Sequence, residues 1–258
     1  MGQVIYPLLD MKIISSILLI FSCYTSAQHA EQLTIKYNKY FNTTVSGFMP
    51  ADLLIDNGST IYIEHPNLSQ YTVEGGKTPK APVYTEFRYV KIDHKLKKVN
   101  LFNSYGSNRF LIEDTYPSHN WTITTESKKI SGYPCVKART NYRGRVWEAW
   151  FTPDIPLPYG PWKLCGLPGL IIEAKDDTET YTLRVEKIEY KRANIFDKEF
   201  ASLAKTRNTE PISIQSFIKD SDEFYINGHN EMVKRWPESH HDFPNLRRGY
   251  ELKYEWEE

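Results

Sequence analysis

The stretch KLCGLPGLIIEAKDD, residues 163–177, decides the fold more than any other part of the chain. Its apolar run at residues 170–172 predicts a buried strand. Just before that strand, Pro168 and Gly169 stand at the second and third positions of a four-residue turn, the order of a type II turn with positive φ at the glycine. Gly166 is expected to let the neighbouring backbone approach closely. Because the glycine spacing fits no phosphate-binding motif, we interpret the stretch as a structural turn.

Four prolines fall within nine residues shortly before this turn. Proline lacks an amide donor and fixes φ, so this part of the chain cannot lie inside a sheet ladder. We expect an ordered, irregular strap that packs apolar side chains against the sheet. Two extended runs precede it, residues 135–142 and 145–151, and a turn at Arg143 and Gly144 joins them. The prolines of the strap are Pro153, Pro156, Pro158 and Pro161.

The chain between residues 32 and 126 alternates apolar and polar residues in short runs. In the first run Leu33, Ile35 and Tyr37 share one side, which is typical of a half-buried strand. Asn57 and Gly58 form a strong hairpin signal. The sequence therefore predicts a mainly β fold, a curved antiparallel sheet or open half-barrel. The further runs lie at residues 52–56, 60–64, 86–92, 98–103, 109–114 and 121–126.

Helical signal is confined mainly to the C-terminal third. Residues 196–207 offer Asp197 as an N-cap, and a second candidate starts at Pro211, where proline suits a first turn. Both predicted helices are short and are expected to pack on the sheet. Since the sequence contains no internal repeat and no obvious linker, we expect a single β-rich domain over residues 28–258 with a few short C-terminal helices.

The N-terminus has the pattern of an export signal. An apolar stretch at residues 13–21 is followed by a small-residue cleavage site ending at Ala27, so residues 1–27 are predicted to be a signal peptide. The stretch is shorter than the roughly 20 apolar residues of a spanning helix, so no transmembrane segment is expected in the mature chain. Met11 is an alternative start, and a buried N-terminal element is an alternative structure. A weaker alternative is that Cys23 is acylated and anchors the protein to the outer membrane.

Export changes how the cysteines are interpreted. Cleavage of the signal removes Cys23, so the mature chain keeps Cys135 and Cys165. Two thiols in an oxidising compartment most simply form a disulfide. In the chain-entropy model this bond contributes on the order of 3 to 4 kcal/mol. The alternative is two separate buried thiols.

The central segment closely resembles the GLPGLI family of exported Bacteroidetes proteins. The supporting motifs are GYPCVKA at residues 132–138, GRVWEAWFT at 144–152 and IPLPYGPWKL at 155–164. The resemblance implies export, a β-rich fold and a Gram-negative envelope or extracellular setting. It implies no established reaction, and so no catalytic residues are carried over. The family's signature run is Gly166, Leu167, Pro168, Gly169, Leu170 and Ile171.

Three patterns raise the question of a ligand. The sequence ESHHDF, residues 238–242 with the following phenylalanine, is a candidate metal site, but adjacent histidines on a strand point to opposite faces. The acidic residues 175–180 lack the glycine and ligand spacing of a calcium loop and are better explained as a hairpin turn. Arg143 and Arg145 lie near Trp147 and Trp150, an arrangement that suits an anionic ligand or a sheet face covered by arginine stems. We therefore predict no metal site and no cofactor.

The composition narrows the functional classes. The chain has 32 Lys and Arg residues and 32 Asp and Glu residues, so it has no net positive charge that would favour binding of nucleic acid. The leading hypothesis is an exported, non-catalytic envelope protein whose concave face holds a lipid-like or peptide ligand, or which assists an outer-membrane complex. It is expected in the periplasm or outside the cell. The alternative is a secreted hydrolase whose carboxylates or Ser/His pair are assembled by the fold. If the protein's own side chains fill the concave face, the carrier hypothesis is lost and a scaffold role is expected instead.

Overall fold

In the computed structural model the described residues are 32–43, 45–65, 71–73, 88–191, 200, 210–247 and 249–257. They all belong to one compact unit, Gln32–Glu258. The signal-peptide prediction for residues 1–27, with Met11 and Cys23, lies outside them. So does almost all of the helix predicted at 196–207.

Thirteen strands and one helix form within the described part of the chain. They are β1 Gln32–Asn42, β2 Val45–Asp56, β3 Ser59–Glu64, β4 Tyr71–Val73, β5 Arg88–Asp93, β6 Lys98–Tyr105, β7 Asn108–Asp114, β8 Thr122–Ile130, β9 Tyr133–Tyr142, β10 Arg145–Thr152, β11 Leu170–Asp176, β12 Tyr181–Lys191, β13 Ile212–Ser213 and α1 Ile214–Arg235. The predicted runs correspond to ten of these strands, while β4, β12 and β13 were not predicted.

The strands make one curved, open sheet, which confirms the predicted fold class. Its order is β13-β7-β6-β5-β3-β2-β1-β12-β11-β10-β9-β8, and β4 pairs with β2 beside this path. Every pair is antiparallel except β13 with β7. The first strand lies in the middle of the sheet, between β2 and β12. The strands from β2 to β7 extend from one side of β1, and the strands from β12 back to β8 extend from the other.

Two-residue turns explain how long neighbouring strands pair without splaying. Asn57 and Gly58 join β2 to β3 with φ of 45° and 83°, and Arg143 and Gly144 join β9 to β10 with φ of 45° and 81°. Positive φ at both central residues is the mark of a type I′ turn, whose twist matches that of the strands. Both hairpin predictions are confirmed.

One face of the sheet, which we call the inner face, carries the larger core. Ile35, Tyr37 and Leu53 lie on it and are fully buried. Side chains from the strap between β10 and β11, residues 153–169, and from the C-terminal segment, residues 249–257, pack onto this face. The chain therefore covers its own inner face. The buried residues contributed by these two segments are Trp162, Leu164, Leu167, Tyr250 and Tyr254.

The helix α1 is longer than predicted. Ser213 caps it, its hydroxyl accepting a hydrogen bond from the amide of Ser216 at 3.1 Å, and the helix then runs for 22 residues. Its N-terminal turns pack beside β7 through Ile214 and Phe217, while the rest is mainly exposed. Where a few short helices were expected, the described residues contain one long helix. None of the described helical structure has the length and hydrophobicity to cross a membrane.

Candidate functional site

The strap crosses the inner face as an irregular but ordered segment, as its prolines predicted. Backbone hydrogen bonds hold its two ends together: the amide of Gly166 donates to the carbonyl of Pro158 at 2.9 Å, and the amide of Leu170 donates to that of Ile155 at 2.9 Å. Proline at every second or third position prevents pairing as a strand, so the strap bonds to itself and to the start of β11.

The two glycines of the signature run have exchanged the roles that the sequence predicted, which were a close backbone approach at Gly166 and a positive φ at Gly169. Gly166 has a φ of +90° and open space where a Cβ would stand. Gly169 has no positive φ, but a Cβ there would lie 2.1 Å from the carbonyl oxygen of Thr152. Its amide donates to the carbonyl of Leu167 at 2.8 Å, so the tight turn is centred on Pro168 and is not type II. The run is structural, with the close approach at the second glycine.

Two side chains from the segment between β7 and β8 fix the backbone of the strap, and one from β1 fixes the start of β11. The Nε2 of His119 donates to the carbonyl of Lys163 at 2.9 Å, and the indole Nε1 of Trp121 donates to that of Cys165 at 2.8 Å. The hydroxyl of Tyr37 donates to the carbonyl of Ile171 at 2.6 Å. Burial lowers the pKa of His119, so this ring is neutral near pH 7.

The predicted disulfide is not formed: Cys135 and Cys165 are two buried free thiols. Each sulfur has a different neighbour, because Cys135 contacts the carbonyl of Tyr133 at 3.5 Å while Cys165 lies beside the hydroxyl of Tyr116. Burial raises the pKa of both thiols to about 11. They therefore remain protonated and unreactive at neutral pH.

A chain of hydrogen bonds leads from Cys165 into the sheet. Beyond Tyr116 it reaches His94, whose Nδ1 lies 2.9 Å from the tyrosine hydroxyl and whose Nε2 lies 3.0 Å from the hydroxyl of Thr60. Burial lowers the pKa of His94 to about 4. Its ring also stacks on Tyr159 of the strap, with centroids 4.5 Å apart. This histidine is a neutral bridge between strap and sheet.

A buried ionic cluster fastens the C-terminal segment to the strap. The Nζ of Lys163 lies 2.5 Å from Asp114 and 2.6 Å from Glu251, and Arg143 donates to both oxygens of Asp114 at 2.7 and 2.8 Å. Arg143 also reaches Glu251 and Glu255. Burial alone would raise the pKa of Asp114, but Lys163 and Arg143 outweigh it and hold that pKa at about 2. The carboxylate of Asp114 is therefore ionised at neutral pH.

A second ion pair lies deeper on the same face. The Nζ of Lys39 donates to both oxygens of Glu64 at 2.8 and 2.9 Å, and the hydroxyl of Tyr250 donates to Glu64 at 2.8 Å. The cavity left between the two clusters measures about 120 Å³. Sites for small-molecule ligands usually measure about 300 to 1,000 Å³. The inner face is thus nearly filled by the chain itself.

The other ligand patterns in the sequence are occupied by structural contacts. The guanidinium of Arg145 donates to Asp176 at 2.6 Å, so the acidic hairpin at 175–180 serves a buried ion pair. Trp147 is fully buried, and Lys128 lies 4.2 Å from the ring centre of Trp150. Arg143 belongs to the cluster above. These contacts match the sheet-face alternative.

The two adjacent histidines of the metal candidate separate. His240 pairs with Asp242 at 2.9 Å, while the Nε2 of His241 donates to the carbonyl of Trp236 at 2.8 Å. No set of three or more metal-binding side chains converges among the described residues.

A groove lies between the C-terminal half of α1 and residues 240–244. It measures about 460 Å³ and is open to solvent. The aromatic spacing on α1 could have signalled this surface, but the sequence analysis took the helix to be short and packed. We call this opening the α1 groove. Its lining residues are Phe224, Tyr225, Gly228, His229, Met232, His240, His241, Asp242 and Pro244.

Residues around the groove are held in place by defined contacts. The amide of Trp236 donates to the carbonyl of Met232 at 3.0 Å, and the hydrogen bond from His241 draws the return segment towards the helix end. Further along, Arg247 pairs with Asp222 of the helix at 2.7 Å. The groove is therefore preorganised by contacts at both ends.

Comparison with known proteins relates the sheet to one family. A family model described as N-glycanase peptide, N-terminal domain, matches residues 55–208. This match ends before α1, so the α1 groove lies outside it. No curated protein matches the chain.

Solved structures give the same relation. PNGF-II in space group P21 has a TM-score of 0.50 and 17% identity, over 74% of this chain and 33% of that one. PNGF-II in space group C2 has a TM-score of 0.47 and 18% identity, over 71% and 31%. An uncharacterized conserved protein from Thermus thermophilus has a TM-score of 0.35 and 8% identity, over 73% and 93%. The first similarity shows a shared fold, and this chain spans about a third of the length of PNGF-II.

Proposed function

This chain belongs to the family described as N-glycanase peptide, N-terminal domain, and we propose that it is an exported, non-catalytic binding domain. In this proposal the ligand binds at the surface, in the α1 groove, and the inner face of the sheet is a structural core. The ligand class to test first is the N-glycosylated protein, because the family description names an N-glycanase.

The observation that carries the proposal is how the buried charges of the inner face are used. Lys163 and Arg143 are bound to Asp114 and Glu251 at 2.5 to 2.8 Å, and Lys39 is bound to Glu64. Groups that are hydrogen-bonded to one another in this way are poorly placed to exchange protons with a substrate, since their donors and acceptors are already used. Their work is to fasten the C-terminal segment across the sheet.

The protonation of the other candidate groups supports a non-catalytic role. A thiol nucleophile needs a lowered pKa, yet burial raises that of Cys165 to about 11. A general base works best with a pKa near neutrality, whereas that of His94 is about 4. The hydrolase alternative has no supporting geometry among these groups.

Export and setting remain part of the proposal. The signal-like residues 1–27 and the GLPGLI resemblance support secretion to the periplasm or the cell exterior. The closed inner face favours a surface-bound ligand or partner over the lipid-like cargo that the sequence suggested. An outer-membrane complex is one setting for such a binding domain.

The experiment is to incubate the secreted full-length protein with an N-glycopeptide and to follow both partners by mass spectrometry and calorimetry. We expect saturable binding and an unchanged glycopeptide mass after prolonged incubation. Release of the glycan would contradict the non-catalytic assignment. Failure to bind the glycopeptide in either its glycan or its peptide part would contradict the binding assignment.

A further inference from the structure

The face of the sheet opposite the inner face, which we call the outer face, carries a second and smaller core. It extends from β2 to β7, and neighbouring strand residues point to opposite faces, so Leu54 lies behind Leu53 of the inner core. Six apolar side chains form this core, each of them 9% exposed or less. We call them the outer patch. They are Leu54, Ile61, Ile63, Tyr89, Phe102 and Leu111.

The sheet by itself does not bury the outer patch. Further along the same face, Val146 of β10 is 37% exposed and the side chain of Arg184 in β12 is 52% exposed. Side chains on an uncovered sheet face stand in water, so another part of the molecule must lie over the patch. Of the residues that the structure describes, the hydrophobic one packed against it is Phe200.

We propose that the outer patch is the docking site of this chain's own segment 192–209. Phe200 lies within that segment and has helical conformation. Its ring centre lies 5.1 Å from that of Phe102, and the Nζ of Lys91 lies 5.3 Å from the same ring. This inference concerns a different surface from the proposed binding site and does not depend on it.

The path of the chain takes the segment across the patch. β12 ends at Lys191 beside β1, whereas β13 begins at Ile212 beside β7. Seven strand spacings of about 4.8 Å separate β12 from β13, which is roughly 34 Å. A stretch of about twelve helical residues and about eight extended ones spans about 45 Å. The intervening residues are therefore long enough to cross the sheet with a helix among them.

The register places the patch on this path. Leu54 pairs with Ile61 across β2 and β3, and Phe102 pairs with Leu111 across β6 and β7. The patch therefore forms rows that run across the strands, in the direction in which the segment must travel from β12 to β13.

The sequence of the segment matches an apolar sheet surface. Its apolar residues recur at i, i+4, i+7 and i+8, the spacing of one helix face. Such a stripe is buried only when it packs against another apolar surface, and the outer patch supplies one. The residues of the stripe are Phe196, Phe200, Leu203 and Ala204.

The test compares Leu203→Lys with the matched control Ser202→Lys in the full-length protein. Both changes add one positive charge, but only the first falls on the apolar stripe. We expect Leu203→Lys to lower the melting temperature by about 4 to 20 °C and to bind a dye that reports exposed apolar surface. Ser202→Lys should stay within about 2 °C of the natural protein and bind no dye.

A pair of substitutions identifies the patch as the surface that is contacted. The loss caused by Phe200→Ala should be smaller in a Phe102→Leu background, because part of the contact is already gone. In a Val146→Ala background, which alters the exposed part of the outer face, the loss should be unchanged.

Three results would overturn the inference. Equal melting temperatures for Leu203→Lys and Ser202→Lys would show that the stripe is not buried. Strictly additive losses for Phe200→Ala and Phe102→Leu would show that the segment does not dock on the patch. If light scattering finds a dimer that Leu203→Lys converts to monomers, the patch is occupied by a second copy of the chain. A monomeric natural protein with non-additive losses is the result we expect.

Discussion

The inner face of the sheet and the α1 groove use similar residues in opposite ways. On the inner face, tyrosines and tryptophans are buried, and lysines and arginines are bound to carboxylates. At the groove, aromatic rings stand in solvent and no lysine or arginine lines the opening. The same composition thus builds a closed core in one place and an open surface in the other. This difference is the reason why we propose the uncovered surface, and not the inner face, as the binding site.

Charge burial explains why the inner face is closed. A buried ion pair is costly to separate, because each partner would be left as an uncompensated charge. The C-terminal segment therefore cannot lift away easily to admit a ligand. At the groove, by contrast, nothing needs to move before a ligand binds.

Breaking the buried cluster should have the largest effect. Lys163→Met removes one of the two cations that Asp114 and Glu251 share, the other being Arg143, and we expect a loss of about 3 to 5 kcal/mol in unfolding free energy, measured by urea denaturation. The matched control is Lys98→Met, which removes an exposed pair with Glu113 at 2.8 Å and should cost less than about 1 kcal/mol. Equal losses for the two variants would mean that the inner cluster is not the fastener we describe.

The two glycines of the strap should differ in a defined order. Gly169→Ala forces a methyl group into the carbonyl of Thr152, and we expect it to cost about 2 to 4 kcal/mol. Gly166→Ala meets no atom but must adopt a φ of +90°, which costs about 1 to 2 kcal/mol. Thermal denaturation of both variants checks the order. A larger loss at Gly166 would restore the sequence-based assignment of their roles.

As the pH falls, the protein should lose the stability linked to His94, which contacts the strap, before it loses the stability linked to Asp114 in the ionic cluster. The pKa of His94 is about 4 in the folded protein and about 6.5 in an unfolded chain. The unfolded state therefore binds the proton first, so stability is complete above about pH 6.5 and falls as the pH drops towards 4. For Asp114 the corresponding loss comes lower, between about pH 4 and 2.

Urea denaturation at several pH values measures this dependence. His94→Gln should flatten it between pH 4 and 6.5 by up to about one proton. A stability profile of unchanged slope in that variant would mean that burial does not lower the pKa of His94.

The smallest expected effect is that of a reducing agent. Because Cys135 and Cys165 are free, dithiothreitol should leave the melting temperature unchanged. Alkylation in denaturant without reductant should label both residues, as peptide mass mapping would show, while the folded protein reacts slowly. If neither residue is labelled, the thiols are oxidised in the purified protein, which would contradict the two free cysteines of the structure.

Short sequence patterns predicted the sheet, because side-chain alternation and turn conformation each depend on a few neighbouring residues. Alternation over residues 33–37 placed Ile35 and Tyr37 on one face, and the Asn57-Gly58 and Arg143-Gly144 pairs marked turns whose φ values are positive in the structure. The prolines likewise marked the strap. Each of these features depends on neighbours within a few residues.

The remaining features depend on distant contacts. Lys163 and Glu251 are 88 residues apart, so no spacing in the sequence could pair them. Position 169 requires a glycine because the carbonyl oxygen of Thr152, at the end of β10, lies where a Cβ would stand. Pairing Cys135 with Cys165 followed from the expected compartment alone, and their sulfurs have other partners. The groove was missed because exposure of α1 depends on where the sheet ends.

Hydrogen–deuterium exchange of the full-length protein, with and without a saturating high-mannose glycopeptide, compares the two regions in one measurement. We expect new protection over residues 222–244 and unchanged exchange over the strap, 153–169, and the C-terminal segment, 249–257. Protection confined to the strap and the C-terminal segment would contradict the assignment of binding to the α1 groove.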